Sequence, residues 1–119
     1  MEFKDSKGIF QQIADSICDK IISGDYQVGS KIPSVREHAA TVGVNQNTIM
    51  RTYMELQREN IVSNQRGIGF FVTESAAQQI INMRKDEFFK VHLPEFIRQV
   101  KLLNLSKEEL KPLLDQLNQ

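Results

Sequence analysis

The chain has 119 residues, 40% hydrophobic and 25% charged, with 15 basic side chains balanced by 15 acidic ones. That length allows one domain with at most a small appendage, and the charge balance excludes a chain that is strongly basic or acidic as a whole. No apolar run is long enough to cross a bilayer, Met1 to Gly8 lacks the apolar stretch of a secretory leader, and Cys18, the single cysteine, cannot form an intramolecular disulfide, so a reducing, cytoplasmic setting is expected.

The first predicted helix runs from about Gly8 to Ser23. Ile9, Ile13, Ile17, Ile21 and Ile22 recur at three- and four-residue spacing, with Ala14 and Cys18 on the same face. Gly24 follows where a left-handed cap is favoured, and Asp25 to Ser30 reads as a turn-rich connection. A second, short helix is announced by Pro33-Ser34-Val35-Arg36-Glu37, in which Ser34 and Glu37 form a capping box. It should present Val35, Ala39 and Val42 inward and end at Gly43. After a tight turn, Asn45 caps a third helix that reaches about Asn60, with Ile49, Tyr53 and Leu56 lining one face and Thr52 beside them. Two helices joined by a tight Gly-containing turn make a helix-turn-helix. Ile61-Val62-Ser63, a polar tip from Asn64 to Gly69, and Phe70 to Thr73 then read as strand, turn and strand. A hairpin in that place is a wing.

From about Ser75 the pattern is helical again. Ile80, Ile81, Phe88, Phe89, Leu93, Phe96, Ile97, Val100 and Leu103 form a long apolar stripe, and Pro94 should kink or split the helix that carries it. Ser106 and Glu109 make a second capping box. Leu110, Leu113, Leu114 and Leu117 form the stripe of a last helix, in which Pro112 is expected to fall early. The fold class is therefore mostly α with a small β-hairpin. A winged helix-turn-helix occupies residues 1–74, and a short helical dimerisation region occupies 75–119. That tail is too short for an independent ligand-binding domain, and it cannot bury its own stripe. A second copy would cover Phe88, Phe89, Leu93, Phe96, Ile97, Val100 and Leu103, each worth on the order of 1.5–3 kcal/mol when fully buried. An effector pocket, or packing on the chain's own first helix, would also bury them.

Asn45-Gln46-Asn47-Thr48 is the main chemical signal. The N-terminal end of the second helix in such a unit enters the major groove. Gln and Asn can bond two-fold to the adenine edge. Thr48 can reach a phosphate or a thymine methyl, and Arg51, one turn on, can neutralise phosphate. The plainer alternative is that Asn45 and Thr48 cap a solvated helix. Arg36 sits in the first turn of its helix, against the dipole. Either a phosphate or guanine edge, or a nearby carboxylate, accounts for it. Ser34 caps the same helix and could also offer its hydroxyl or the helix amides to a phosphate. Arg66 and Gly67 lie at the wing tip, suited to a narrow minor groove or simply to a solvated turn. The span from Gln27 to Thr73 carries Lys31, Arg36, Arg51, Arg58 and Arg66 against Glu37, Glu55 and Glu59, a modest local basic excess. His38, His92 and Cys18 have no metal-ligand spacing. Gly67-Ile68-Gly69 lacks the rest of a dinucleotide fingerprint, and no catalytic triad or cofactor motif is evident. An enzyme is not expected.

Together Pro33-Ser34-Val35-Arg36-Glu37, Gly43 to Thr48, Arg51-Thr52-Tyr53, Leu56 and Gly67 to Val72 resemble the GntR family of bacterial regulators. The short tail resembles its YtrA-type subfamily. The resemblance implies a winged-helix DNA-binding domain, a symmetric homodimer, a palindromic duplex operator and, by default, repression. The family's DNA-contacting positions fall on Ser34, Arg36, Asn45, Gln46, Asn47, Thr48, Arg51, Arg66 and Gly67. Gln46 stands where proline is frequent in the subfamily, so operator preference need not follow it. A small-molecule effector of unknown identity would act through the Pro94-containing helix. The reading from another class is a winged-helix protein-interaction module that binds no DNA, which the neutral net charge motivates.

Overall fold

The computed structural model describes residues 8–119; residues 1–7, which carry most of the segment expected to lack a leader, lie outside the described residues. Helix α1 spans Ile9–Ser23, α2 Val35–Val42 and α3 Gln46–Arg58. Strands β1 (Val62–Gln65) and β2 (Gly69–Val72) follow, then α4 (Ala76–Glu87), a π-helical turn at Phe88–His92, α5 (Leu93–Leu102) and α6 (Lys107–Leu117). The chain divides into two compact units, one ending at Asn82 and the other spanning Met83–Gln119.

In the first unit α3 packs against both α1 and α2, and its C-terminal end leads into β1. The core is built from Ile13, Ile17 and Ile21 of α1, Ile49, Tyr53 and Leu56 of α3, and Ile32, Ile61, Val62, Phe70 and Val72 around the hairpin. Ile9 and Ile22 were expected on the core face of α1, yet they are about half exposed. The buried face is the one carrying Ile13, Ile17 and Ile21; Ile22 lies about 100° around the helix from Ile21, and Ile9 sits at the first residue of the helix. Ile80 was expected in the tail stripe, but it is buried with Ala76 in this core, because α4 begins inside the first unit.

Both helix stops expected from glycine are present. Gly24 and Gly43 adopt left-handed φ of 91° and 83° and donate to Ile21 O and Ala39 O. The capping box of α2 is complete, with Ser34 N donating to Glu37 Oε1 at 2.9 Å and Glu37 N to Ser34 Oγ at 3.1 Å. That carboxyl titrates below its ordinary range because the Ser34 backbone and hydroxyl bond its charged form. Val42 was expected inward but is exposed, and His38 is buried in its place. The reason is a polar partner: His38 Nδ1 lies 2.9 Å from the Tyr53 hydroxyl, which itself donates to Pro33 O at 2.6 Å. α3 ends at Arg58 rather than Asn60, and Asn60 turns to φ 62° to start the hairpin.

The hairpin is antiparallel, with Val62 opposite Val72 and Gln65 opposite Gly69. Its strands reach further toward the tip than the sequence suggested, leaving only Arg66, Gly67 and Ile68 between the last paired residues. Ile68 N donates to Gln65 O across that turn at 2.9 Å, and Gly67 supplies the positive φ of 77° it needs. The segment before α2 adds a third edge. Ile32 N bonds Phe70 O and Val72 N bonds Ser30 O, each at 2.9 Å, around a bridge between Lys31 and Phe71.

In the second unit the disturbance from Pro94 appears one turn ahead of it. Pro94 sits in the first turn of α5, has no N–H to donate and crowds the preceding turn. The backbone accommodates it by widening to i→i+5 pairing, with Leu93 N donating to Phe88 O. The expected break is thus a π-helical turn. The Ser106–Glu109 capping box of α6 is complete. Pro112 lies in the middle of α6, not early in it as expected, and the helix continues to Leu117 on the bonds that remain. Phe88, Phe89, Phe96, Ile97 and Leu103 are exposed, and Leu93 and Val100 half-buried. Among the described residues no helix is long and apolar enough to cross a membrane.

Candidate nucleic-acid interface

The face of α3 that does not enter the core is set by the helical period. Ile49, Thr52, Tyr53 and Leu56 point inward and are at most 3% exposed. Gln46, Asn47, Met50 and Arg51 therefore occupy the outer side, and all four are exposed. The backbone of this helix is held at several points. Thr48 N donates to Asn45 Oδ1 at 3.0 Å, Thr52 Oγ1 donates to Thr48 O at 2.9 Å, and the Tyr53 hydroxyl ties α3 to Pro33 and His38. Tyr53 also meets Phe70 edge-on at 5.0 Å. Burial holds the Tyr53 hydroxyl protonated well above the ordinary phenol range, and burial together with the positive Lys20 holds His38 below the ordinary imidazole value. A neutral His38 can thus donate from Nδ1 to Tyr53 while Tyr53 donates onward.

Each residue expected at the interface is at the surface. Arg36, Asn45, Gln46, Asn47, Arg51, Arg66 and Gly67 are exposed, and Ser34 and Thr48 are half-buried by their capping roles. Asn45 Oδ1 accepts from both the Thr48 amide and the Thr48 hydroxyl, at 3.0 and 3.2 Å, which commits that end of the amide to the helix start. Gln46 and Asn47 carry no such duty.

Met50 and Phe10 escaped the sequence reading, and Lys31 was counted there only for its charge. Met50 is 42% exposed and lies one turn beyond Gln46 and Asn47 on the same face. An exposed Met one turn from paired amides is a signal the helical period could have supplied. Lys31 lays its aliphatic stem across Gly69, so closely that a Cβ there would stand 2.6 Å from Lys31 Cε. Phe10, in the first turn of α1, has its ring beneath the Arg51 guanidinium, 5.4 Å from the ring centroid. Neither contact had a local signal, because each joins segments distant in sequence. Among the described residues no group of three or more His, Cys, Asp or Glu could hold a metal ion.

A recognition helix displayed on a three-helix core, with a hairpin wing beside it, defines a winged helix-turn-helix DNA-binding regulator. Residues 9–72 match the family of bacterial regulatory proteins known as the gntR family, and the chain belongs to it. It is accordingly a transcription regulator and not an enzyme. Among its relatives, the uncharacterized HTH-type transcriptional regulator YhcF of Bacillus subtilis is 43% identical over 92% of this chain and 88% of its own length. The HTH-type transcriptional repressor YtrA of the same organism is 31% identical over 90% of this chain and 82% of its own length. A putative GntR-family regulator from Bacteroides thetaiotaomicron superposes with a TM-score of 0.77 at 42% identity, covering 92% of this chain and 96% of that one. S. agalactiae BusR, in a structure with its busAB-promotor DNA, superposes with a TM-score of 0.62 at 25% identity over 93% of this chain and 55% of BusR.

Proposed function

We propose that the protein is a repressor that binds a palindromic operator as a homodimer, with the wing and the outer face of α3 on the duplex and α4 to α6 holding the two copies together. The observation that carries the reading is the division of α3. Its inner face is locked in the core, and Gln46, Asn47 and Arg51 stand exposed on the outer face. Gln46 and Asn47 read base edges, while Arg51, Arg36, Ser34, Thr48, Arg66 and Gly67 meet the backbone or the minor groove. The relative YtrA is a repressor by name, and BusR is seen on promoter DNA. The tail supports the dimer: Phe88, Phe89, Phe96, Ile97 and Leu103 are exposed in the single chain, and burying such side chains against a second copy is favourable by on the order of 1.5–3 kcal/mol each.

Selection of bound duplexes from random DNA tests this directly. It should enrich a palindrome with half-sites about one helical turn, or a multiple of it, apart, bound more weakly as salt rises. Gln46→Ala or Asn47→Ala should shift base preference by about 1–3 kcal/mol per lost two-fold contact. Sedimentation should give a dimer that Phe96→Asp dissociates. A reporter placed behind the selected site should fall on expression of the protein. No enriched palindrome would end the operator reading, and a monomeric wild-type chain would end the homodimer. A small-molecule effector would change operator affinity through the Pro94 region. If cell extract leaves that affinity unmoved, binding is constitutive.

A further inference from the structure

We propose that Phe10 is a positioning residue for DNA binding: its ring holds the Arg51 guanidinium at the duplex face, so that the arginine arrives at a phosphate already oriented. The inference rests on the reading that Arg51 meets phosphate.

The geometry separates the two jobs of the guanidinium. Its carbon lies over the Phe10 ring, 5.4 Å from the centroid, within the range where the ring's negative face attracts a cation. An arginine can present its flat face to an aromatic ring and keep its N–H edge for a phosphate. A contact on one side of the guanidinium leaves other N–H groups for the phosphate it prepares. Nearby charge arrangements point the same way. Glu55, one helical turn from Arg51, is engaged by Arg58, and among the described residues no carboxylate pairs with Arg51. A free arginine carries several rotatable bonds, and freezing them on a phosphate opposes binding. Phe10 fixes them beforehand. Its own place is set by α1, whose next turns are buried through Ile13, Ala14 and Ile17 against α3. Phe10 is half-buried and belongs to none of the core packing, so its ring is available for this role.

The test is a double-mutant cycle read in DNA binding. Wild type, Phe10→Leu, Phe10→Tyr, Arg51→Ala and the Phe10→Leu/Arg51→Ala pair are titrated against a labelled random-sequence duplex at several potassium chloride concentrations. Arg51→Ala should flatten the salt dependence by about one unit of slope per protomer. Phe10→Leu should weaken binding roughly two- to five-fold per protomer, and Phe10→Tyr, which keeps an aromatic face, should bind as wild type does. In the Arg51→Ala background Phe10→Leu should change nothing further. Thermal melting of each variant by circular dichroism shows that the fold is retained. If Phe10→Leu weakens binding equally with and without Arg51, or not at all, the positioning role is wrong while the phosphate contact stands. If Arg51→Ala leaves both affinity and slope unchanged, the phosphate reading fails first and the role of Phe10 with it.

Discussion

Tyr53→Phe removes one oxygen atom and leaves the ring, so its effect isolates the buried relay between the two helices of the DNA-binding motif. The ring keeps its edge contacts with His38 and Phe70, at centroid distances of 5.8 and 5.0 Å, and no cavity opens. What changes is hydrogen bonding. Pro33 O loses the donor at 2.6 Å, and His38 Nδ1 loses its partner at 2.9 Å. A buried polar group left without a partner costs about 1–3 kcal/mol. His38 is buried and should bear that penalty, whereas Pro33 is only half-buried and water can serve its carbonyl in part. The expected loss is about 2–3 kcal/mol, or roughly 10–20 °C in melting temperature for a unit of this size. Urea unfolding followed by circular dichroism measures it. The same pair sets a pH dependence. Burial lowers the native pKa of His38 below its ordinary 6.5, so between the two values the unfolded chain binds the extra proton. Stability is then full above about pH 6.5 and falls as pH drops toward the lowered native value. His38→Gln should flatten that limb relative to wild type. A Tyr53→Phe protein within about 0.5 kcal/mol of wild type would refute the account of the relay. A His38→Gln protein with an unchanged acid limb would refute the linkage.

Ser34→Ala removes the hydroxyl that accepts from Glu37 N and should cost about 1 kcal/mol in the same unfolding assay. Gly69→Ala meets both a displaced Lys31 side chain and a φ of 145° that side chains rarely adopt. Lysine can swing aside, so backbone strain of about 1–3 kcal/mol should dominate. The Lys31→Ala/Gly69→Ala pair should therefore recover little, and full recovery would reverse that ranking. Glu95 accepts two bonds from Arg98, at 2.8 and 2.7 Å, and its carboxyl is drawn down to about 2. Carbon-detected NMR titration should find Glu95 still ionised below the ordinary carboxylate range, and Arg98→Gln should raise its pKa, leaving the smaller lowering from the Gln99 amide.

The parts of the fold that were legible in the sequence are those fixed within a few residues. Ser34 with Glu37 and Ser106 with Glu109 mark helix starts because a short side chain and a carboxylate three positions on satisfy each other. Gly24 and Gly43 mark stops because the left-handed backbone excludes most other residues. The inner face of α3 followed from its period. What stayed hidden depends on partners far along the chain. His38 looks like a surface residue until the Tyr53 hydroxyl is found beside it, and Val42 looks like core by spacing yet ends α2 exposed. Ile80 belongs by spacing to either unit. The π-helical turn before Pro94 is one of several ways to relieve the same clash. For the candidate interface, exposure of Gln46, Asn47 and Arg51 could be anticipated, whereas the ring under Arg51 could not, since Phe10 lies on a different helix with the whole of α2 between them in sequence.

The two-sided construction of α3 has an evolutionary corollary. Mutations at Gln46, Asn47 and Met50 touch neither the caps nor the interior, so they carry almost no folding penalty. Under the proposed function, a duplicated copy of this gene could acquire a new operator preference one side chain at a time with little cost to its fold.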